Sequence, residues 1–414
     1  MMTKSIRLRL PLLLASLLAA VMLSSCSNGG SASTSGAAFP ANTSSAPSAQ
    51  EPSAAPAPAG GEQPDSSPVS SESPAPASPV PNPLVGPVTA MRLADFDTGW
   101  TGGNGWIART DDAGKSWTTQ LKHDWTVQQL FALNKRQVWA TLDKGDAKSI
   151  DLIASTDGGG HWENGGIVPN RAFLHFVSSK EAFSGNARTT DGGKSWTTYA
   201  VPAGTVGDPY FHDRDNGWAV SFADGKFSFQ RTTDGAKHWK ETYSRATEAP
   251  VTGTVIRSAG KNDAWIALIG DSGMSQTSYS LFHTSDGGKR WTPVLANNQA
   301  GSGPAPGFKM DEATVPRNNG SGPGTLNAVD PKTAFMGGVC NACDLGNSLG
   351  KTTDGGKSWI NLKAQFPGHG PQFIGAEDAK RVWFIATDNT EPSALYTSKD
   401  GGETWTKAYT FAKP

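Results

Sequence analysis

The chain has 414 residues, with 36 Lys and Arg against 37 Asp and Glu. So even a balance excludes a general nucleic-acid binder, which needs a basic surface. No phosphate-binding glycine loop, Ser-His-Asp order or helix-borne metal motif occurs along it, so neither cofactor nor metal is expected.

The N-terminus reads as a targeting segment. Lys4, Arg7 and Arg9 form a basic region ahead of an apolar run from Pro11 to Leu23, too short to favour a permanent span and suited to a secretory signal. The run ends Leu23-Ser24-Ser25-Cys26, which resembles a bacterial lipobox. That resemblance implies a signal peptide over residues 1–25, lipid on Cys26, and an extracytoplasmic protein anchored to the cell membrane. Residues 26–86 are nearly all Ser, Ala, Pro, Gly, Asn and Gln without Lys or Arg. A stretch of that composition cannot bury enough apolar surface to offset its chain entropy, and is expected to be a disordered tether. Removing both segments leaves the two charge signs equal in number in residues 87–414.

Those remaining residues carry one pattern seven times, Ser/Thr-x-Asp-x-Gly-x-x-Trp. It ends at Trp117, Trp162, Trp196, Trp239, Trp291, Trp359 and Trp405, and its acids are Asp112, Asp157, Asp191, Asp234, Asp286, Asp354 and Asp400. A second repeat, a polar turn followed by an aromatic, precedes each box at Trp100, Trp139, Phe183, Trp218, Trp265, Phe335 and Trp383. Twelve of the 14 Trp occupy these two positions, so tryptophan here is core lattice before it is ligand surface. Each box reads as a hairpin between two strands: Asp accepts turn amides, glycine supplies positive φ, and Trp restarts an apolar strand. In the fourth box Ala236 stands at a glycine position, which leaves Gly235 alone to ease the turn.

A repeat of about 47 residues marks an all-β propeller with seven four-stranded antiparallel blades. The first strands fall in runs such as VTAMRL (88–93) and RAFLHFV (171–177). The pattern shows no obvious strand exchanged between the two ends, so closure is expected from packing between blades or from a tether segment near Pro81–Pro87. Two features break the regularity. The connection from Trp291 to Phe335 is long and loop-like, either functional or disordered. Beside it, Cys340 and Cys343 form a C-x-x-C pair, open to a structural disulfide, a redox centre or, with His369, half a metal site.

The boxes resemble those of the Asp-box (BNR) propellers: sialidases, sortilin-type receptor heads, xyloglucanase-like glycosidases and Ycf48-like photosystem II assembly factors. The single ring with regular RTTDGGKSW-type boxes is most similar to the Ycf48-like group. That resemblance implies a non-catalytic monomer whose basic patch holds a protein or peptide partner, membrane proteins included. The matching positions, immediately before each box, are Arg109, Ala154, Arg188, Arg231, His283, Lys351 and Thr397. Arg109, Arg188, Arg231, His283 and Lys351 are expected to form a basic collar, used either for an acidic partner or for packing between blades. Ala154 and Thr397 interrupt it.

The rival is a surface glycan binder or glycoside hydrolase. A hydrolase needs two carboxylates across a cleft. Asp311, Glu312, Asp344, Glu377 and Asp388 lie in suitable loops but nothing pairs them, and no Arg-Ile-Pro stretch of sialidase type occurs.

Overall fold

A computed structural model describes residues 86–145, 149–312 and 314–413. The signal segment, Cys26 and nearly all of the tether lie outside the described residues. The fold is an all-β propeller of antiparallel sheets, each laid down in chain order with neighbouring strands paired in sequence.

The expectation of seven separate four-stranded blades is corrected: the described strands form six sheets, five of four strands and one of six. Two strands that the repeat spacing divides are continuous. In Gly99–Thr110, residues 99–103 pair with Val88–Leu93, while residues from 104 onward pair with Thr118–Ala132. In Thr118–Ala132, the first half pairs back and residues 126–132 pair forward with Val138–Asp143. The physical cause is the brevity of the connections. Asn104-Gly105, with Gly105 at φ 86°, leaves no loop within the first repeat, and Thr118–Ala132 runs without a break from the first repeat into the second. Two of the seven boxes, ending at Trp117 and Trp162, therefore belong to one sheet.

Packing between neighbouring sheets supplies the core. The largest cluster joins Trp218, Phe227 and Phe229 to Ile266 and Phe282. The ring closes the same way. Val88, Phe96 and Trp106 pack with Trp383, Ile385, Leu395 and Phe411, and Trp106 stacks on Phe411 with centroids 6.3 Å apart. Two hydrogen bonds cross this seam: Trp383 Nε1 donates to the Phe96 carbonyl at 3.0 Å, and Phe96 N donates to Glu377 at 3.0 Å.

The long connection after Trp291 is folded onto the body. Ala305 and Phe308 are buried in the largest cluster. Asn298 pins the segment, donating to the carbonyls of Lys309 and Met310 and accepting from Ala305 N. Arg245 lies over Phe308 at 4.5 Å and pairs with Glu312 at 3.3 Å. Cys340 and Cys343 are joined to each other as a disulfide, so neither is available to a metal beside His369.

Candidate functional site

Each box is a joint with three kinds of contact. Within it, the Asp carboxylate accepts from the Ser/Thr hydroxyl two residues earlier and from the amide four residues later. Asp191 takes Thr189 Oγ1 at 2.8 Å, Ser195 N at 2.9 Å and Ser195 Oγ at 2.6 Å, and the other six repeat this arrangement. Hydrogen bonds from Ser195 hold the Asp191 carboxyl down at about 2, and those from His238 do the same for Asp234, because bonds to the charged form favour it. These acids are kept ionised as turn acceptors. The residue after Asp donates its backbone N–H to the polar turn of its own repeat, as Gly192 does to the Lys180 carbonyl and Gly287 to Asn262. Boxes and polar turns thus share one face, the box face.

The third contact crosses to the next repeat, and it is where the collar residues go. Arg109 Nη1 donates to the Gly158 carbonyl at 2.9 Å, Arg231 Nη1 to Gly287 at 2.8 Å, and Lys351 Nζ to Gly401 at 2.7 Å. His283 Nδ1 bonds Gly355 O at 2.9 Å. In all four the acceptor is the carbonyl directly after the box Asp of the following repeat. Arg109 and Arg231 also reach the next polar turn, at the carbonyls of Lys135 and Lys261. The reason is register. In six of the repeats the residue before the box lies directly across the ladder from the strand aromatic, as Arg231 does from Trp218 and His283 from Trp265. Its side chain crosses the ring, with Arg231 5.2 Å from the Trp218 centroid and His283 stacked at 3.7 Å on Trp265. His283 is buried and its Nε2 bonds Asp263 at 2.8 Å. Arg188 departs from the pattern, pairing with Glu181 of its own repeat at 2.6 Å. The five collar residues are therefore engaged by the protein itself, four of them as struts between repeats.

The sequence reading did not single out the residues around the axis. One cavity of about 680 Å³ is lined from the first strand of every repeat, including Arg92, Gln129, His175, Tyr210, Arg257, Asn327 and Phe373. No Asp or Glu is among its described lining residues. Arg92 lies over Phe131 at 4.4 Å and Arg257 over Phe173 at 3.8 Å. Arg257 gives one N–H to the Ile256 carbonyl at 2.8 Å, and neither arginine makes an ion pair among the described residues. Burial lowers both guanidinium pKa values, Arg257 to about 10, with the charge of Arg92 contributing; both remain cations at neutral pH. Asp208 acts on Arg257 through space, and burial raises its own carboxyl. Arg171, in the same wall, is held by Asp143 through two bonds of 2.7 and 2.8 Å. His175 stacks on Tyr210 at 4.8 Å with neither ring nitrogen bonded, and burial pushes it down to about 3, so it is neutral. Arg92 and Arg257 occupy the last two positions of their strands, the end that runs into the box-face turns. The signal available in sequence was a charge inside otherwise apolar first strands.

Three of the loop carboxylates named for a hydrolase are engaged by neighbouring groups of the protein. Glu312 pairs with Arg245, Glu377 with Arg381 at 3.1 Å, and Asp388 caps the amides of His369, Thr390 and Glu391. A second, lateral cavity of about 1130 Å³ is walled by Trp125, Trp162, Trp196 and Ile167.

A family model described as the BNR/Asp-box repeat matches residues 396–407, the box that ends at Trp405. Together with the sheets this defines a β-propeller bearing BNR/Asp-box repeats. Among curated proteins the chain is similar to a xyloglucanase of a Paenibacillus species, 22% identical over 274 residues, covering 59% of this chain and 26% of the relative. The chain thus spans about a quarter of that relative's length. Among solved structures it is similar to the GH74 xyloglucanase from Xanthomonas campestris, at 13% identity and TM-score 0.51, covering 80% of this chain and 55% of the other. It is also similar to YCF48 bound to D1 peptide, at 14% identity and TM-score 0.47, covering 78% and 95%. At 13% identity the likeness to the Xanthomonas campestris structure shows the fold alone.

Proposed function

We propose that the chain is a non-catalytic, lipid-anchored, extracytoplasmic propeller that holds a protein or peptide partner as a monomer. We read its six sheets as a ring of seven repeats in which the first two share one sheet. The observation that carries the binding reading is the axial cavity. It is open on cations, and its described lining offers no pair of carboxylates such as glycoside hydrolysis requires. Rings of structural struts around it make a rigid frame, the setting in which binding surfaces are commonly placed. The peptide in the YCF48 structure belongs to that protein. Affinity capture with crosslinking of the full chain from its own cells tests the reading: a protein recovered in stoichiometric amount is expected, and recovery of wall glycan alone would refute it.

A glycan-binding or glycosidase role is the second reading, favoured by the lateral cavity, whose indole faces suit sugar rings. It predicts that xyloglucan oligosaccharides raise the melting temperature and that Trp125→Ala removes the effect.

A further inference from the structure

We infer that the axial cavity is a carboxylate site, in which Arg92 and Arg257 together receive an acidic group of the partner; this rests on the binding reading above. Two like charges line one open cavity with no acid in contact, Asp208 acting on Arg257 only through space, an arrangement that costs stability unless an anion joins them. Stacking fixes both guanidinium planes, on Phe131 and Phe173, so their in-plane N–H groups are oriented before a ligand arrives. Arg257 spends one of these donors on Ile256, and none of the Arg92 donors meets a protein acceptor among the described residues.

The same wall shows what a carboxylate does there. Asp143 meets Arg171 with two parallel bonds of 2.7 and 2.8 Å, the two-pronged geometry that guanidinium and carboxylate share. Arg92 and Arg257 lack only the acid. His175 adds an independent mark, since its buried ring has two nitrogens without partners in the cavity wall. A volume of about 680 Å³ matches a ligand of a few side chains, not a folded domain. Because both arginines sit at the box-face ends of their strands, the acidic segment enters from that face.

The test uses the full chain and citrate as probe, melted at fixed pH and ionic strength. Wild type is expected to gain melting temperature with citrate, saturably. Arg92→Gln with Arg257→Gln should fold, melt no lower without citrate, and bind citrate about tenfold or more weakly. A tetraglutamate peptide should compete with citrate on wild type, whereas tetraglutamine amide should not. No shift on wild type, an equal shift on the double variant, or a shift from inorganic phosphate as large as that from citrate would each overturn the inference. Capture of one partner equally by wild type and double variant would also overturn it while leaving the binding reading intact. Capture of nothing by wild type would remove both.

Discussion

Two sets of basic residues share the box-face end of this propeller, and the protein treats them in opposite ways. Arg109, Arg231, His283 and Lys351 lie along the third strands and are consumed, each bonding the carbonyl after the next box Asp. Arg92 and Arg257 lie along the first strands and face an axial cavity with no acid in contact. A repeated position acquires a repeated partner, because every repeat presents the same carbonyl at the same place. An irregular position acquires none. Charge at a repeated site is therefore architecture, and charge at an unrepeated site is the place to look for a ligand.

The comparison can be broken most severely at His283. Replacing it by Leu leaves Asp263 buried without its partner and cuts one strut, and should cost about 3 kcal/mol in urea denaturation. A loss under 1 kcal/mol would show that the inter-repeat bonds carry little. Smaller and opposite in sign is the effect at the turn alanines. Ala113 and Ala236 adopt φ of 59° and 65°, a region costly for any residue with a Cβ. Gly235 thus does not ease the fourth turn alone, as the sequence led us to expect. Ala236→Gly should stabilise by about 0.5 kcal/mol, relief of strain being partly offset by chain entropy and lost methyl burial.

Acid sharpens the picture least per site, but acts on all boxes at once. Asp191 and Asp234 have folded pKa values of about 2 against an ordinary 3.8. Being depressed, they contribute stability that is present above the ordinary value and lost as pH falls towards 2. Melting temperature should hold from neutral pH to about 4 and then decline. A decline beginning above pH 5 would point to other groups.

Much of this was legible in sequence. Seven boxes and their partner aromatics specify a propeller through local chemistry: a turn acid, two positive-φ positions and an indole. The merging of the first two repeats into one sheet was not legible, because it depends on Thr118–Ala132 running unbroken from the end of the first repeat into the start of the second. The fate of the collar was half legible. Spacing put its five members at equivalent strand positions, but the acceptor of Arg231 lies 56 residues downstream and is a backbone carbonyl, which no side-chain pattern announces. The axial arginines were hidden for a different reason. Arg92 in VTAMRL and Arg257 in GTVIR look like single charges in short apolar strands, and only closure of the ring brings them to one cavity.

The most direct test makes the same substitution in both sets and reads stability by urea denaturation. Arg231→Gln removes three hydrogen bonds to the next repeat and should cost about 2 kcal/mol, whereas Arg257→Gln should stay within about 0.5 kcal/mol of wild type or exceed it. Equal losses at the two positions would contradict the division between structural struts and an unoccupied binding pair.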